Sequence, residues 1–279
     1  MSPLYTPGKV VLGQTYVGVD DPDAAAYIAA VEAADEAASP GVGALETATK
    51  VAIHSFVKGC KADGIWPAIK ASCILAGART LNGALVPLVG AAPTNNNFVA
   101  GDYNRETGLV GNGSTKYLNT NRLNSADPQN NQHLAVYAST AANGTSIGAG
   151  ATDTGTSGVG RRNAVITNGA VLRSQNGGTP PGTDIDKTDV QWLSGLAGIS
   201  RSSSTSFAGR SGGTNKTFTV ASQVPYSANI FVFGRNSGGS LNDSASSRLA
   251  FYSIGESLDL ALLDSRVTTL INAIGAAIP

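Results

Sequence analysis

The chain has 279 residues, 42% of them hydrophobic and only 14% charged, with nineteen basic residues balanced by nineteen acidic ones and a formal net charge of zero. That is enough to bury a sizeable core, yet the charged fraction is well below the roughly 25% of an average domain. A neutral chain with no Lys/Arg cluster interleaved with aromatics has no field to gather phosphates, which excludes nucleic acid as a partner; no run of about 18 apolar residues is present, which excludes membrane insertion by a helix.

Residues 1–20 read as an extended arm. Pro3, Pro7, Gly8, Gly13 and Gly18 punctuate short β-favouring runs such as Lys9-Val10-Val11-Leu12, too little apolar mass to fold alone. The N-terminus lacks the charged start and long apolar middle of a secretory signal, so synthesis in the cytosol is expected. Asp21 and Pro22 then open a helix, with Ala24, Tyr27, Ile28, Val31 and Ala34 on one face and Ser39-Pro40 as its stop. A second helix is expected over 45–57, with Ala48, Val51, Ala52 and Phe56 as its stripe and Gly59 or Gly64 ending it.

From Ser72 onward short apolar runs alternate with Gly, Asn, Asp and Ser clusters, giving around ten strands at the spacing of a sandwich or barrel. Ile230-Phe231-Val232-Phe233 and Leu249-Ala250-Phe251-Tyr252 are continuous enough to be buried on both faces and central. Asn168-Gly169 marks a hairpin. A last helix carries the stripe Leu263, Val267, Leu270, Ile274 and Ile278, with Ser257 as its expected cap and Asp259 at its positive end. Asparagine marks a change of surface chemistry: none precedes Asn82, and nineteen of the twenty lie between Asn82 and Asn242.

Three segments carry a resemblance. Val57-Lys58-Gly59-Cys60-Lys61-Ala62-Asp63-Gly64-Ile65-Trp66, then Gly111-Asn112-Gly113-Ser114-Thr115-Lys116-Tyr117-Leu118, then residues 248–258 (RLAFYSIGESL) occur in that order. Together they resemble phage-encoded virion, tail and fibre-like proteins with a concanavalin A-like, laminin-G-like sandwich. The resemblance covers about residues 45–279. It implies a mainly β chain: an antiparallel jelly-roll sandwich over 64–279 closed by the C-terminal helix, preceded over 1–63 by the arm and short helices as an anchoring and oligomerisation region. The implied setting is a virion, with other virion proteins and further copies of the chain as partners. In the motifs, Trp66 would pin the preceding helix to the sheet, Gly111 and Gly113 would permit a tight turn, and Tyr117 and Leu118 would face opposite ways.

Catalytic chemistry has little support in the sequence. His54 falls inside a helix, His133 opens an apolar strand, and no G-x-S-x-G elbow exists, so no nucleophile is activated. Glu256 and Asp259 suit a turn and a helix start better than the paired acids of a glycosidase. Cys60 and Cys73, the only cysteines, read as buried thiols, with a bridge between them left open. Asp184, Asp186 and Asp189 alternate so that they could chelate calcium, against the alternative of a solvated acidic loop. Glycan recognition suits the composition best, because neutral sugars are held by amide and hydroxyl hydrogen bonds beneath a stacked ring. Asn96, Asn97, Asn121, Asn130 and Asn131 are the candidate ligand-binding amides, against the alternative that asparagine here makes turns. The expected function is non-enzymatic attachment to a host-surface glycan as a tail-fibre, baseplate or head-fibre component, with capsid decoration as the alternative and glycan hydrolysis behind both.

Overall fold

The computed structural model describes residues 19–140, 149–152, 162–166, 171–175, 194–219, 221–222 and 224–279. Asp184, Asp186 and Asp189 lie outside them, as does the arm before Val19. Helix α1 (Pro22–Ala38) starts as its sequence dictates: the Asp21 carboxylate accepts from Asp23 N and Ala24 N, and Pro22 occupies the first turn. Its buried face runs Ala24, Tyr27, Ile28, Val31 and then Asp35, where Ala34 was expected. Asp35 is wholly buried because it has work there, accepting from Arg79 N, Thr80 N and Thr80 Oγ1 at 2.7–2.8 Å. Helix α2 (Thr47–Ala62) runs a turn beyond the expected 45–57 and ends where Gly64 takes φ +72. Its buried face is Thr49, Ala52, Ile53, Phe56, Val57 and Cys60, turned from the expected stripe so that Ala48 is exposed.

The strands follow: β1 (Ile69–Ile74), the short helix α3 (Leu81–Ala84), β2 (Thr94–Asn96), β3 (Tyr103–Asn104), β4 (Gly108–Val110), β5 (Tyr117–Leu123), β6 (Gln132–Thr140), β7 (Ala149–Thr152), β8 (Arg162–Ile166) and β9 (Val171–Gln175). Next come β10 (Gly195–Arg201), β11 (Ser206–Ser211), β12 (Thr214–Thr219), β13 (Asn229–Val232), β14 (Arg235–Ser237), β15 (Ser240–Asn242) and β16 (Arg248–Gly255), and helix α4 (Leu260–Ala277) closes the chain. An eight-stranded sheet runs β12-β11-β10-β6-β16-β4-β3, with β1 also on β16; a six-stranded sheet runs β15-β14-β7-β13-β5-β2. β8 and β9 pair antiparallel on either side of Asn168-Gly169, which themselves lie outside the described residues. All pairings are antiparallel except β14 on β7, because the chain turns at Phe233 (φ +70) and crosses to the far side of β7.

Two cores share the eight-stranded sheet. Between the sheets lie Leu118, Leu134, Val136, Ile199, Phe207, Phe218, Ile230, Val232, Phe233 and Tyr252. On the sheet's other face, Ala135, Tyr137, Leu196 and Phe251 meet α1, α2 and α4. Strand alternation sends residues to the two cores in turn, and a bulge in β16 keeps Ala250 and Phe251 both on the helix side. The apolar stripes of α1, α2 and α4 are thus covered within the chain. Trp66, in a 3₁₀ turn between α2 and β1, packs against this helix-side core, with Lys61 Nζ 5.7 Å from its ring centre. Helix α4 is capped by Asp259, not Ser257: Asp259 Oδ1 accepts from Ala261 N and Leu262 N, while Ser257 donates to Asn131 Oδ1.

Candidate functional site

In β5, Leu118 and Thr120 face the core between the sheets, so Tyr117, Asn119 and Asn121 face outward from the six-stranded sheet. In β13, Ile230 and Val232 belong to the same core, and Phe231 between them turns to the outer face, opposite Asn119. The rings of Tyr117 and Phe231 meet there with centroids 4.4 Å apart and planes 36° from parallel. Phe231 is buried and Tyr117 half-buried, so of the pair Tyr117 is the ring that reaches the surface, with Phe231 as its apolar backing. Asn96 of β2 stands opposite Tyr117 in the register. The result is an aromatic platform flanked by amides, the chemistry that holds a sugar face.

Residues 230–233 are all buried, as their continuous apolar run implies, with Phe231 packed on Tyr117 rather than in either core. Which side Phe231 takes depends on β5 lying beside β13, a pairing that local sequence does not show.

The asparagines divide. Asn96, Asn97 and Asn121 gather along the β2–β5 edge; Asn130 and Asn131 lie in the turn that enters β6 of the other sheet. Several amides serve the fold. Asn97 (φ 69) donates to Thr115 O, and Asn121 (φ 56) donates to Ala92 O and Thr94 Oγ1. Asn96 donates to Thr94 O, and Asn131 Oδ1 accepts from Ser257 N and Oγ, fastening the start of β6 to the β16–α4 junction. Asn112, in the G-N-G-S-T turn, accepts from the backbone N–H groups of Ser114, Thr115 and Lys116. Local bonds of this kind and tolerance of positive φ are what asparagine offers a turn.

The titratable groups are mostly structural. His133 Nδ1 lies 2.5 Å from Glu256 O and Nε2 2.7 Å from Ser253 Oγ. Because a carbonyl can only accept, Nδ1 carries the proton and Ser253 donates to Nε2. Burial pushes the imidazole down to about 4. This Ser–His contact is no hydrolase pair, since Ser253 is wholly buried beneath the helices. Burial also pushes the Cys60 and Cys73 thiols up to about 12; both cysteines are free, and Cys73 Sγ lies 3.2 Å from Tyr252 Oη. Apart from Glu106, every carboxylate among the described residues is engaged in an ion pair or accepts from a backbone amide; examples are Asp63 with Arg266, Asp102 with Lys116 and Glu46 with Arg105. No group of three metal-ligating side chains occurs among the described residues, and no helix among them is long and apolar enough to cross a membrane.

No protein-family model matches the chain, and no curated protein matches it. Solved structures match in shape. Domain 4 of AbnA, a GH43 extracellular arabinanase from Geobacillus stearothermophilus, in complex with arabinotriose, is 15% identical over 66% of this chain and 82% of that one, with TM-score 0.39. The binding domain of botulinum neurotoxin serotype D is 12% identical over 72% of this chain and 51% of that one, with TM-score 0.42. A GH54 α-L-arabinofuranosidase mutant is 12% identical over 75% and 44%, with TM-score 0.34. These likenesses are distant; the two packed sheets with helices on one side make the fold a β-sandwich.

Proposed function

We propose that the chain is a non-catalytic glycan-binding module, with the outer face of the six-stranded sheet as its binding surface. The observation that carries this is the Tyr117–Phe231 pair, a ring platform that contributes to neither core and is bordered by Asn96 and Asn119. An aromatic that only filled a core would sit between the sheets or under the helices. The neutral, amide-rich surface supports the same reading, because sugars are recognised without net charge by groups that both donate and accept.

The setting suggested by the three sequence segments is a virion surface, where the sandwich would face the host and the residues before α1 would engage the particle or sister subunits. A glycan array probed with the full chain, with and without calcium, tests the binding role. Tyr117→Ala should weaken any captured glycan by about 2- to 10-fold, the scale of one lost ring stack. Absence of binding to every glycan would overturn the proposal, as would unchanged binding by Tyr117→Ala. Immunoelectron microscopy of particles tests the setting, and failure to find the chain on a virion would remove it.

A further inference from the structure

A cleft of about 270 Å³ opens where the eight-stranded sheet's β1 faces the six-stranded sheet's β5, beneath the loop leading to β2. Lys70, Ala71, Gly90, Ala91, Thr120, Asn121, Arg122, Leu123 and Ala126 line it. Small-molecule pockets begin near about 300 Å³, so this space is at the small end and has room for a single ring rather than a chain. One wall depends on Gly90, whose φ is +85 and whose Cβ, were there one, would stand 2.5 Å from Lys70 O. Only glycine lets the loop close on β1 there.

The charge of this lining departs from that of the whole. In a chain with zero net charge, the cleft holds two cations, a hydroxyl and an amide, and no carboxylate. The acids that pair with its cations, Glu256 and Asp127, are not part of the lining. Arg122 is held by the side of its guanidinium: Nε and Nη2 both donate to the Asp127 carboxylate, which is 6% exposed. That fixes the plane of the group and leaves its end, Nη1 and the second hydrogen of Nη2, without a hydrogen-bond partner among the described residues. Two parallel N–H groups on a fixed plane match the two oxygens of a carboxylate. Lys70 differs, since its contact with Glu256 is at 3.2 Å and both side chains are over a third exposed. It can turn to an incoming anion at little cost.

We infer that this cleft is a subsite for an acidic sugar, taking the ring against Leu123 and Ala126 and its carboxylate against Arg122 and Lys70. The inference rests on the glycan-binding reading and names the class of sugar, but it does not use the Tyr117 platform. Sulfated sugars share the anionic chemistry and are separated by the test.

The test is calorimetric titration of the full chain with glucuronate-terminated, sulfated and neutral oligosaccharides of equal length. The glucuronate ligand should bind at least tenfold more tightly than the neutral one, and the difference should shrink as salt is raised. Lys70→Gln and Ala91→Asp, both at accessible positions, should each reduce that difference at least fivefold while leaving neutral-glycan binding intact. Arg122→Lys should do so too, because an ammonium does not reproduce the fork; the first two variants keep the test decisive if this one folds poorly. Preference for the sulfated ligand would overturn the carboxylate assignment. Equal binding of neutral and acidic ligands, insensitive to all three variants, would overturn the subsite and leave the glycan reading standing. Binding to none would overturn both.

Discussion

The two outward sides of the sandwich are built on opposite terms. On the side covered by helices, several polar groups are buried and held by named partners: Asp35 by the Arg79–Thr80 backbone, His133 by Glu256 and Ser253, Asp264 by Arg210. On the other side, the outer face of the six-stranded sheet, amides and a half-buried phenol stand at the surface, and the amides bond exposed backbone carbonyls of the neighbouring loops and strand. The contrast teaches where each property resides. Stability and its response to pH should belong to the helix side, and recognition to the open side.

The sharpest way to break this division is Phe251→Ala. Phe251 is wholly buried and meets Phe56 of α2 edge-on, centroids 5.7 Å apart and planes at 70°, so it joins the helix layer to the sheet. Its loss should cost about 4 kcal/mol, measured by denaturant unfolding, with glycan affinity of the folded fraction unchanged. A large affinity loss in folded protein would show that the two sides are coupled.

Acid comes next in size. The His133 imidazole sits at about 4 in the folded chain, below its ordinary value of 6.5. Between these values the unfolded chain binds more protons than the native one, so the contribution of neutral His133 is complete above about pH 6.5 and is lost as pH falls toward 4. The full shift corresponds to about 3 kcal/mol. Unfolding midpoints measured from pH 7 to 4 should show this slope, and His133→Gln should flatten it. An unchanged slope in that variant would assign the acid sensitivity elsewhere.

Much of the helix side was legible in the sequence, since its logic is local. Asp21-Pro22 and Ser39-Pro40 mark α1 because a cap and a stop act within a few residues. What escaped was tertiary. Asp35 looks like one more exposed helix acid until the loop at Arg79–Thr80 brings two N–H groups to it, 44 and 45 residues away. The α2 stripe was misplaced by one residue because Ala48 and Thr49 are both small, and packing in the helix layer decides which is covered. Ser257 and Asp259 both suit a cap; Ser257 was taken by Asn131, 126 residues earlier in the chain. On the open side composition announced amides, but their grouping depends on which strands neighbour β5. The pairing of Tyr117 with Phe231 spans over a hundred residues and leaves no local trace.

A smaller effect checks that α4 belongs with the helix side. Asp259 Oδ1 accepts from Ala261 N at 2.7 Å and Leu262 N at 3.3 Å, so Asp259→Ala should destabilise by about 1 kcal/mol without altering ligand binding. Thermal unfolding reads the first and calorimetry the second. A loss as large as that for Phe251→Ala would mean that Asp259 does more than begin a helix.

The smallest effect bears most directly on the open side. Asn97 sits at φ 69 with its amide on Thr115 O, a geometry that explains the residue without any ligand. Glycine tolerates that backbone, so Asn97→Gly should change stability by no more than about 0.5 kcal/mol. If Asn97 serves only its turn, glycan binding is equally unmoved, and recognition narrows to Tyr117 with Asn96 and Asn119. If affinity falls tenfold while stability holds, the same amide shapes the loop and touches the sugar. The two outcomes separate asparagine as turn residue from asparagine as ligand group at a position where folding is not at stake, which mutation of Asn131, bound to Ser257 across the sheet, could not do.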